Sequence, residues 1–146
     1  YGAHICLCLV RRFGCHLPCP ACSSPRPRAC LNYGHTLAHA LETAGGYDLH
    51  HGEAVAIGLV FAARLAARLG RIDDARVARH DQVVDGYGLD RTLPAGADTA
   101  ELLALMRRDK KSRGGLSFVL DGPAGVEPVH DVAPADVEAV LKELAS

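Results

Sequence analysis

Histidines are concentrated in one short part of the chain, where their spacing fits metal binding. His35 and His39 are four residues apart, so on a helix they would project from one face, one turn apart. His51 follows closely enough for two antiparallel helices to bring it beside His35. Neutral imidazole is a common zinc ligand, and a catalytic zinc uses three protein ligands and one open position. His35 and His51 would supply two ligands, and a carboxylate from elsewhere would supply the third.

The same spacing also fits a helix that binds nothing. Histidine pairs of this kind occur by chance, and each member is then a packed or solvated side chain. The polar residues Asn32, Thr36 and Glu42 on the same turns favour a site. The spacing alone therefore leaves a metal site and a helical bundle without bound metal about equally supported.

Residues 31 onward predict a mainly α-helical fold with a short β-hairpin, which would position these histidines. Asn32 is predicted to cap a helix that reaches about Thr43 and ends at Gly45-Gly46. A second helix should start near His51 and end near Leu69-Gly70, and its apolar residues surround it, which predicts deep burial. Further helices are predicted over 73–85, 99–108 and 134–144, and strands over 116–120 and 126–129.

Length and charge limit the kinds of partner. The 146 residues correspond to one domain or part of a larger protein. The net charge of -1, from sixteen basic and seventeen acidic residues, does not indicate a nucleic-acid-binding protein. No apolar run is long enough for a membrane span, and no signal peptide is recognisable, so we expect a cytoplasmic protein without a membrane partner.

The first 27 residues differ in composition from the rest and are predicted to be irregular. Five of the six cysteines lie in the first 22 residues, and four prolines lie between positions 18 and 28. One interpretation is a zinc site formed by Cys15, Cys19, Cys22 and Cys30. A redox Cys19-Pro20-Ala21-Cys22 motif would need a strand before it and a helix after it. We favour a third interpretation, in which residues 1–27 are not native domain sequence.

Three segments resemble signatures of the 3-dehydroquinate synthase family. The run from Arg28 to Glu42 resembles the first, and the run from His51 to Gly58 resembles the second. Asp109-Lys110-Lys111, followed by Gly115 and the strand at 118–120, resembles the third. Order and spacing are kept over about residues 28–145, which makes the resemblance more specific than any single motif.

The resemblance implies a two-domain enzyme of which this chain is a fragment. Residues 28–146 would be the helical C-terminal domain, and an N-terminal nucleotide-binding domain that holds NAD would be missing. His35 and His51 match zinc (or cobalt) ligands, and the third ligand would be an upstream glutamate. The remaining matches are His39 at the phosphate and proton-transfer end, Arg28 and Asn32 as substrate contacts, and Lys110 and Lys111 near the acidic groups of the substrate, as catalytic or binding lysines.

The implied reaction converts the sugar phosphate 3-deoxy-arabino-heptulosonate 7-phosphate to 3-dehydroquinate in the shikimate pathway, with release of phosphate. NAD would transiently oxidise a ring hydroxyl, and the full-length form would be a homodimer. No Gly-rich dinucleotide loop follows a strand here, so we expect the isolated chain to be inactive. Two alternatives stay open: a related cyclase such as 2-deoxy-scyllo-inosose synthase, and a non-catalytic zinc-binding helical module.

Overall fold

The computed structural model describes residues 32–108 and 116–146. These residues form five helices and one two-stranded antiparallel sheet, which confirms the predicted mainly α-helical fold with a short hairpin. The predicted irregular segment, residues 1–27, lies outside the described residues. In chain order the elements are α1 (His35–Ala44), α2 (His51–Arg68), α3 (Asp74–Gly86), α4 (Thr99–Arg108), β1 (Leu116–Leu120), β2 (Glu127–Val132) and α5 (Pro134–Ala145).

Helix α2 is the centre of the fold. Residues 54–63 are all buried, because α1, α3, α5 and β1 pack around the helix on different sides. An apolar surface on every face of a helix is stable only under such coverage, so the prediction of deep burial is confirmed. None of the described helices combines the length and the apolar character that crossing a membrane would require.

Helices α1 and α2 approach each other most closely through two glycines. Gly34 precedes α1 in a left-handed conformation, with φ of 79°, which glycine adopts at little cost. A Cβ atom added to Gly58 would lie 2.0 Å from the carbonyl oxygen of Gly34. A Cβ atom added to Gly34 would lie 2.9 Å from the backbone nitrogen of Leu59. Backbone therefore packs directly on backbone at this crossing, immediately before His35.

The prediction that Asn32 caps α1 is wrong. Gly34 is the N-cap residue and no side chain caps the helix, whereas the Asn32 carbonyl accepts a hydrogen bond from the His35 backbone nitrogen at 3.1 Å. Gly34 adopts the left-handed conformation at its contact with Gly58 and lies immediately before the helix. Asn32 lies two residues further from the helix and therefore cannot be its cap.

Helix α3 begins one residue later than predicted, because Asp73 is its cap and accepts from the Arg76 nitrogen.

The hairpin covers one side of α2. The side chains of Leu116, Phe118 and Leu120 are buried, and the Phe118 ring lies 5.8 Å from that of Phe61 in α2. Strand β2 is longer than the predicted 126–129. Its pairing with β1 shifts register between Leu116 and Phe118, and Asp131 on β2 adopts a positive φ of 58°. Such a local irregularity adds residues to a strand without a clear signal in the sequence.

A mostly buried polar network supports the turn before α1. The Tyr33 hydroxyl donates to His80 Nε2 at 2.8 Å, and His80 Nδ1 donates to the Arg76 carbonyl at 2.8 Å. Arg76 in turn donates to the buried carboxylate of Asp121 at 2.7 Å. Burial, with Asp121 nearby, raises the pKa of Tyr33, so its hydroxyl keeps the proton that it donates. The network links α3 and the end of β1 to the segment that carries His35.

The glycine crossing generates a stability prediction. Alanine inside a helix is ordinarily more stable than glycine by up to about 1 kcal/mol. At position 58 we expect the opposite, a loss of about 1–3 kcal/mol or more, because the added methyl group meets backbone that cannot move aside alone. Urea unfolding of Gly58→Ala measures this. Gly86→Ala is the control, since no atom lies within 4 Å of its added Cβ, and it should be neutral or stabilising. Equal stability of the two variants would contradict the steric argument.

The buried His80 generates a prediction for pH. Burial, the largest cause, lowers its pKa below the ordinary 6.5. Because the unfolded chain then binds the proton more tightly, the free energy of unfolding should fall as pH decreases through about 6.5 towards the lowered pKa. Urea unfolding at pH 7.5 and 5.5 tests this, with His80→Gln as comparison because glutamine keeps a donor and an acceptor. The variant should lose less stability than the wild type, and equal losses would refute the assignment to His80.

Candidate functional site

Three predicted site histidines lie together where α1 meets the start of α2. The His35 ring centroid is 5.6 Å from that of His39 and 5.7 Å from that of His51. With Zn–N bonds of about 2.0–2.1 Å, two imidazoles on one tetrahedral ion have centroids roughly 5–6 Å apart. By this measure the separation of His35 and His51 fits a shared divalent metal, and so does that of His35 and His39.

His35 is held by the turn that precedes it. Its Nδ1 donates to the Tyr33 carbonyl at 3.1 Å, so Nε2 is the nitrogen suited to a metal. Burial is the main cause that lowers the pKa of His35, and the nearby His39 and His51 lower it further. The Tyr33 carbonyl and Glu42 act in the opposite direction without reversing the shift. The lowered pKa favours the neutral form of His35, which is the form that coordinates metals.

His51 is held by a carboxylate from the neighbouring helix. Its Nδ1 lies 2.7 Å from Glu42 Oε1, and both side chains are partly exposed. The sequence analysis places Glu42 on the same helical turns as the histidines but gives it no role. A usable signal was present, because Glu42 follows His35 by seven residues, or two helical turns, and so shares its face.

The Glu53 carboxylate of the His51-Gly52-Glu53 run has a structural contact. Its Oε2 accepts a hydrogen bond from the His50 backbone nitrogen at 2.7 Å. This is half of a capping box, in which the third helical residue binds back to the residue before the helix. Glu53 therefore fixes the residue at which α2 starts, and with it the position of His51.

The other predicted site residues either are exposed or lie outside the described part of the chain. His39 and Asn32 are exposed, and Asn32 lies on the turn immediately before α1. Within 32–108 and 116–146, no three His, Cys, Asp or Glu side chains are grouped so as to hold a metal unaided. The histidine pair would therefore need a ligand from elsewhere. Several predicted residues lie outside the described part of the chain: Arg28, Lys110 and Lys111, and the cysteines Cys15, Cys19, Cys22 and Cys30 of the alternative zinc site.

Sequence comparison connects the chain with named proteins. Residues 24–112 match the family model described as 3-dehydroquinate synthase C-terminal. A protein of Amycolatopsis mediterranei, provisionally named aminodehydroquinate synthase, is 57% identical over 118 residues, which are 81% of this chain and 34% of that protein. The 3-dehydroquinate synthase of Saccharopolyspora erythraea is 54% identical over 119 residues, which are 80% of this chain and 32% of the relative. The chain thus spans about a third of the length of these relatives.

Solved structures show the same fold. A 2-deoxy-scyllo-inosose synthase, crystallised with carbaglucose-6-phosphate, NAD+ and Co2+, matches 82% of this chain and 34% of its own with a TM-score of 0.71 at 24% identity. The 2-epi-5-epi-valiolone synthase of Streptomyces hygroscopicus, with NAD+ and Zn2+ bound, matches 79% of this chain and 32% of its own with a TM-score of 0.66 at 24% identity. Because the family model covers more than half of the sequence, including both histidine-bearing helix starts, the chain belongs to the 3-dehydroquinate synthase C-terminal family.

Proposed function

We propose that this chain is the metal- and substrate-binding part of a 3-dehydroquinate synthase, which converts 3-deoxy-arabino-heptulosonate 7-phosphate to 3-dehydroquinate with release of phosphate. The observation that carries the proposal is the approach of His35 and His51 from two helices, at a separation that suits one divalent ion. The identity to the Saccharopolyspora erythraea synthase over most of the chain supports the choice of reaction.

In this proposal each residue has a role that suits the chemistry of its side chain. His35 and His51 hold the metal through Nε2, and an upstream glutamate completes the ligand set. His39, exposed beside His35, contacts the phosphate end of the substrate and moves a proton there. Arg28, Lys110 and Lys111 neutralise the carboxylate and phosphate as cations, and Asn32 binds substrate hydroxyls through its amide.

Zinc or cobalt would polarise a substrate hydroxyl and the ketone formed from it, and both ions occur in the structural relatives. The described residues contain no strand, Gly-rich turn and helix of the kind that binds a dinucleotide. NAD would therefore be held mainly by a nucleotide-binding domain that acts together with this chain.

Aminodehydroquinate formation is the second candidate, favoured by the 57% identity to the Amycolatopsis mediterranei protein. The two candidates share the histidine pair and differ in the substrate. Supplying an active assembly with 3-deoxy-arabino-heptulosonate 7-phosphate or with its amino analogue, in separate reactions, distinguishes them by the ratio of the two kcat/KM values.

A chimera tests the proposed reaction directly. The upstream part of the Saccharopolyspora erythraea synthase, joined to residues 28–146 of this chain, should release phosphate from the sugar phosphate. His35→Ala in the chimera should reduce the rate to background, because a metal ligand is lost. His130→Ala is the control, since His130 lies exposed on β2 and contacts Ser117, and it should keep the unmutated rate. A folded chimera without activity on this sugar phosphate would refute the proposed reaction.

The isolated 146-residue chain should not turn over the sugar phosphate, even with NAD and Zn2+ present. The physical reason is that its described residues supply two histidine ligands and no dinucleotide-binding unit. Phosphate release measured beside the intact Saccharopolyspora erythraea synthase as positive control checks this expectation. Multiple turnovers by the chain alone would show that it carries a complete site.

A further inference from the structure

The carboxylate of Glu42 makes a contact that the roles proposed above do not use. Its Oε1 lies 2.7 Å from Nδ1 of His51, and the two residues belong to different helices. The carboxylate is 35% exposed and the imidazole 44% exposed, so water competes for both groups. A contact between two groups that can reach water depends on the helices bringing them close.

That geometry follows from the way the two helices begin and cross. The Gly34–Gly58 contact sets the spacing of α1 and α2, and the Glu53 cap sets the start of α2 at His51. Glu42 lies on the last turns of α1, which runs antiparallel to α2, and therefore faces the α2 N-terminus. The contact thus follows from the packing of α1 on α2.

The chemical effect of the contact is on the imidazole tautomer. A carboxylate accepts hydrogen bonds and does not donate them, so the proton of neutral His51 is placed on Nδ1. The lone pair is then on Nε2, and the ring is kept from turning. A metal-binding histidine usually has its second nitrogen bonded to a carboxylate or a backbone carbonyl in this way.

We propose that Glu42 is a positioning residue that orients His51 and fixes its tautomer for a divalent metal ion. The inference rests on the proposed function, in which His51 is a metal ligand. His35 is held through its own Nδ1 by the Tyr33 carbonyl, so the two ligands are oriented by partners of different chemical type. Glu42 itself does not touch the ion.

The tautomer can be measured without any metal. In the 146-residue chain at pH 8, long-range proton–nitrogen NMR spectra should show His51 protonated on Nδ1. Glu42→Ala should remove this preference, while Glu42→Gln, whose amide oxygen still accepts a hydrogen bond, should keep most of it. Glu138→Gln is the matched control, because Glu138 also makes a 2.7 Å bond, to Lys142 on α5, far from His51 in the sequence. An unchanged His51 tautomer in Glu42→Ala would overturn the proposal.

Metal affinity provides the second readout. Zn2+ is titrated into the chimera described above, whose upstream part supplies the ligand that the histidine pair lacks, and is followed on the imidazole resonances of His35 and His51, which separates this site from metal bound elsewhere. We expect Glu42→Ala to weaken binding at the histidines by about 10- to 100-fold, Glu42→Gln to weaken it less, and Glu138→Gln to leave it unchanged.

The controls separate the two proposals. If the wild-type resonances do not respond to Zn2+, or respond equally in His51→Ala, the metal site and the role of Glu42 both fail. If His51→Ala abolishes the response and Glu42→Ala binds as tightly as wild type, the role of Glu42 fails and the metal site stands. A loss of Zn2+ affinity that is confined to the folded Glu42 variants supports the positioning role. Far-ultraviolet circular dichroism confirms that each variant is folded.

Discussion

The contact of Gly34 with Gly58 is the constraint on which the rest of the site depends. It allows the backbones of α1 and α2 to touch, and any larger side chain at position 58 would place a carbon atom against a carbonyl oxygen. Because α2 is buried on nearly all sides, a change in this spacing would have to be absorbed by every element packed around it. The positions of His35 and His51 are consequently determined by backbone packing rather than by the histidines themselves.

Around this crossing, mostly buried groups support one side of the site and partly exposed groups support the other. His35 depends on the Tyr33 turn, which the buried network through His80, Arg76 and Asp121 anchors. His51 depends on Glu42 and on the Glu53 cap, which are accessible to water. Interactions in the buried network cost more to break, because an unpaired polar group is left without solvent. The His35 side should therefore be the more rigid of the two, and the His51 side the more adjustable.

The sequence predicted the elements well where periodicity and end signals agree. The α4 and β1 bounds, the Gly45 end of α1 and the deep burial of α2 all follow from local patterns. The approach of His35 to His51 could also be expected, since consecutive antiparallel helices carry them. The cap of α1 was mispredicted, because a tertiary contact of Gly34 overrides the local preference of Asn32 for the cap. The Tyr33–His80 bond joins residues 47 positions apart, and no local pattern in a single sequence announces such a pairing.

Because His35 and His51 belong to separate helices, binding of one ion by both would affect the stability of the fold. An ion that binds only the native pair is coupled to folding, so its binding free energy adds to the stability of the α1–α2 pair by mass action. At a metal concentration about one hundred times the dissociation constant, the linkage amounts to about 2.7 kcal/mol. In a small domain of marginal stability, that is a large share of the total. Cellular metal supply would then govern how much of the protein survives proteolysis, in addition to how much of it is catalytically competent.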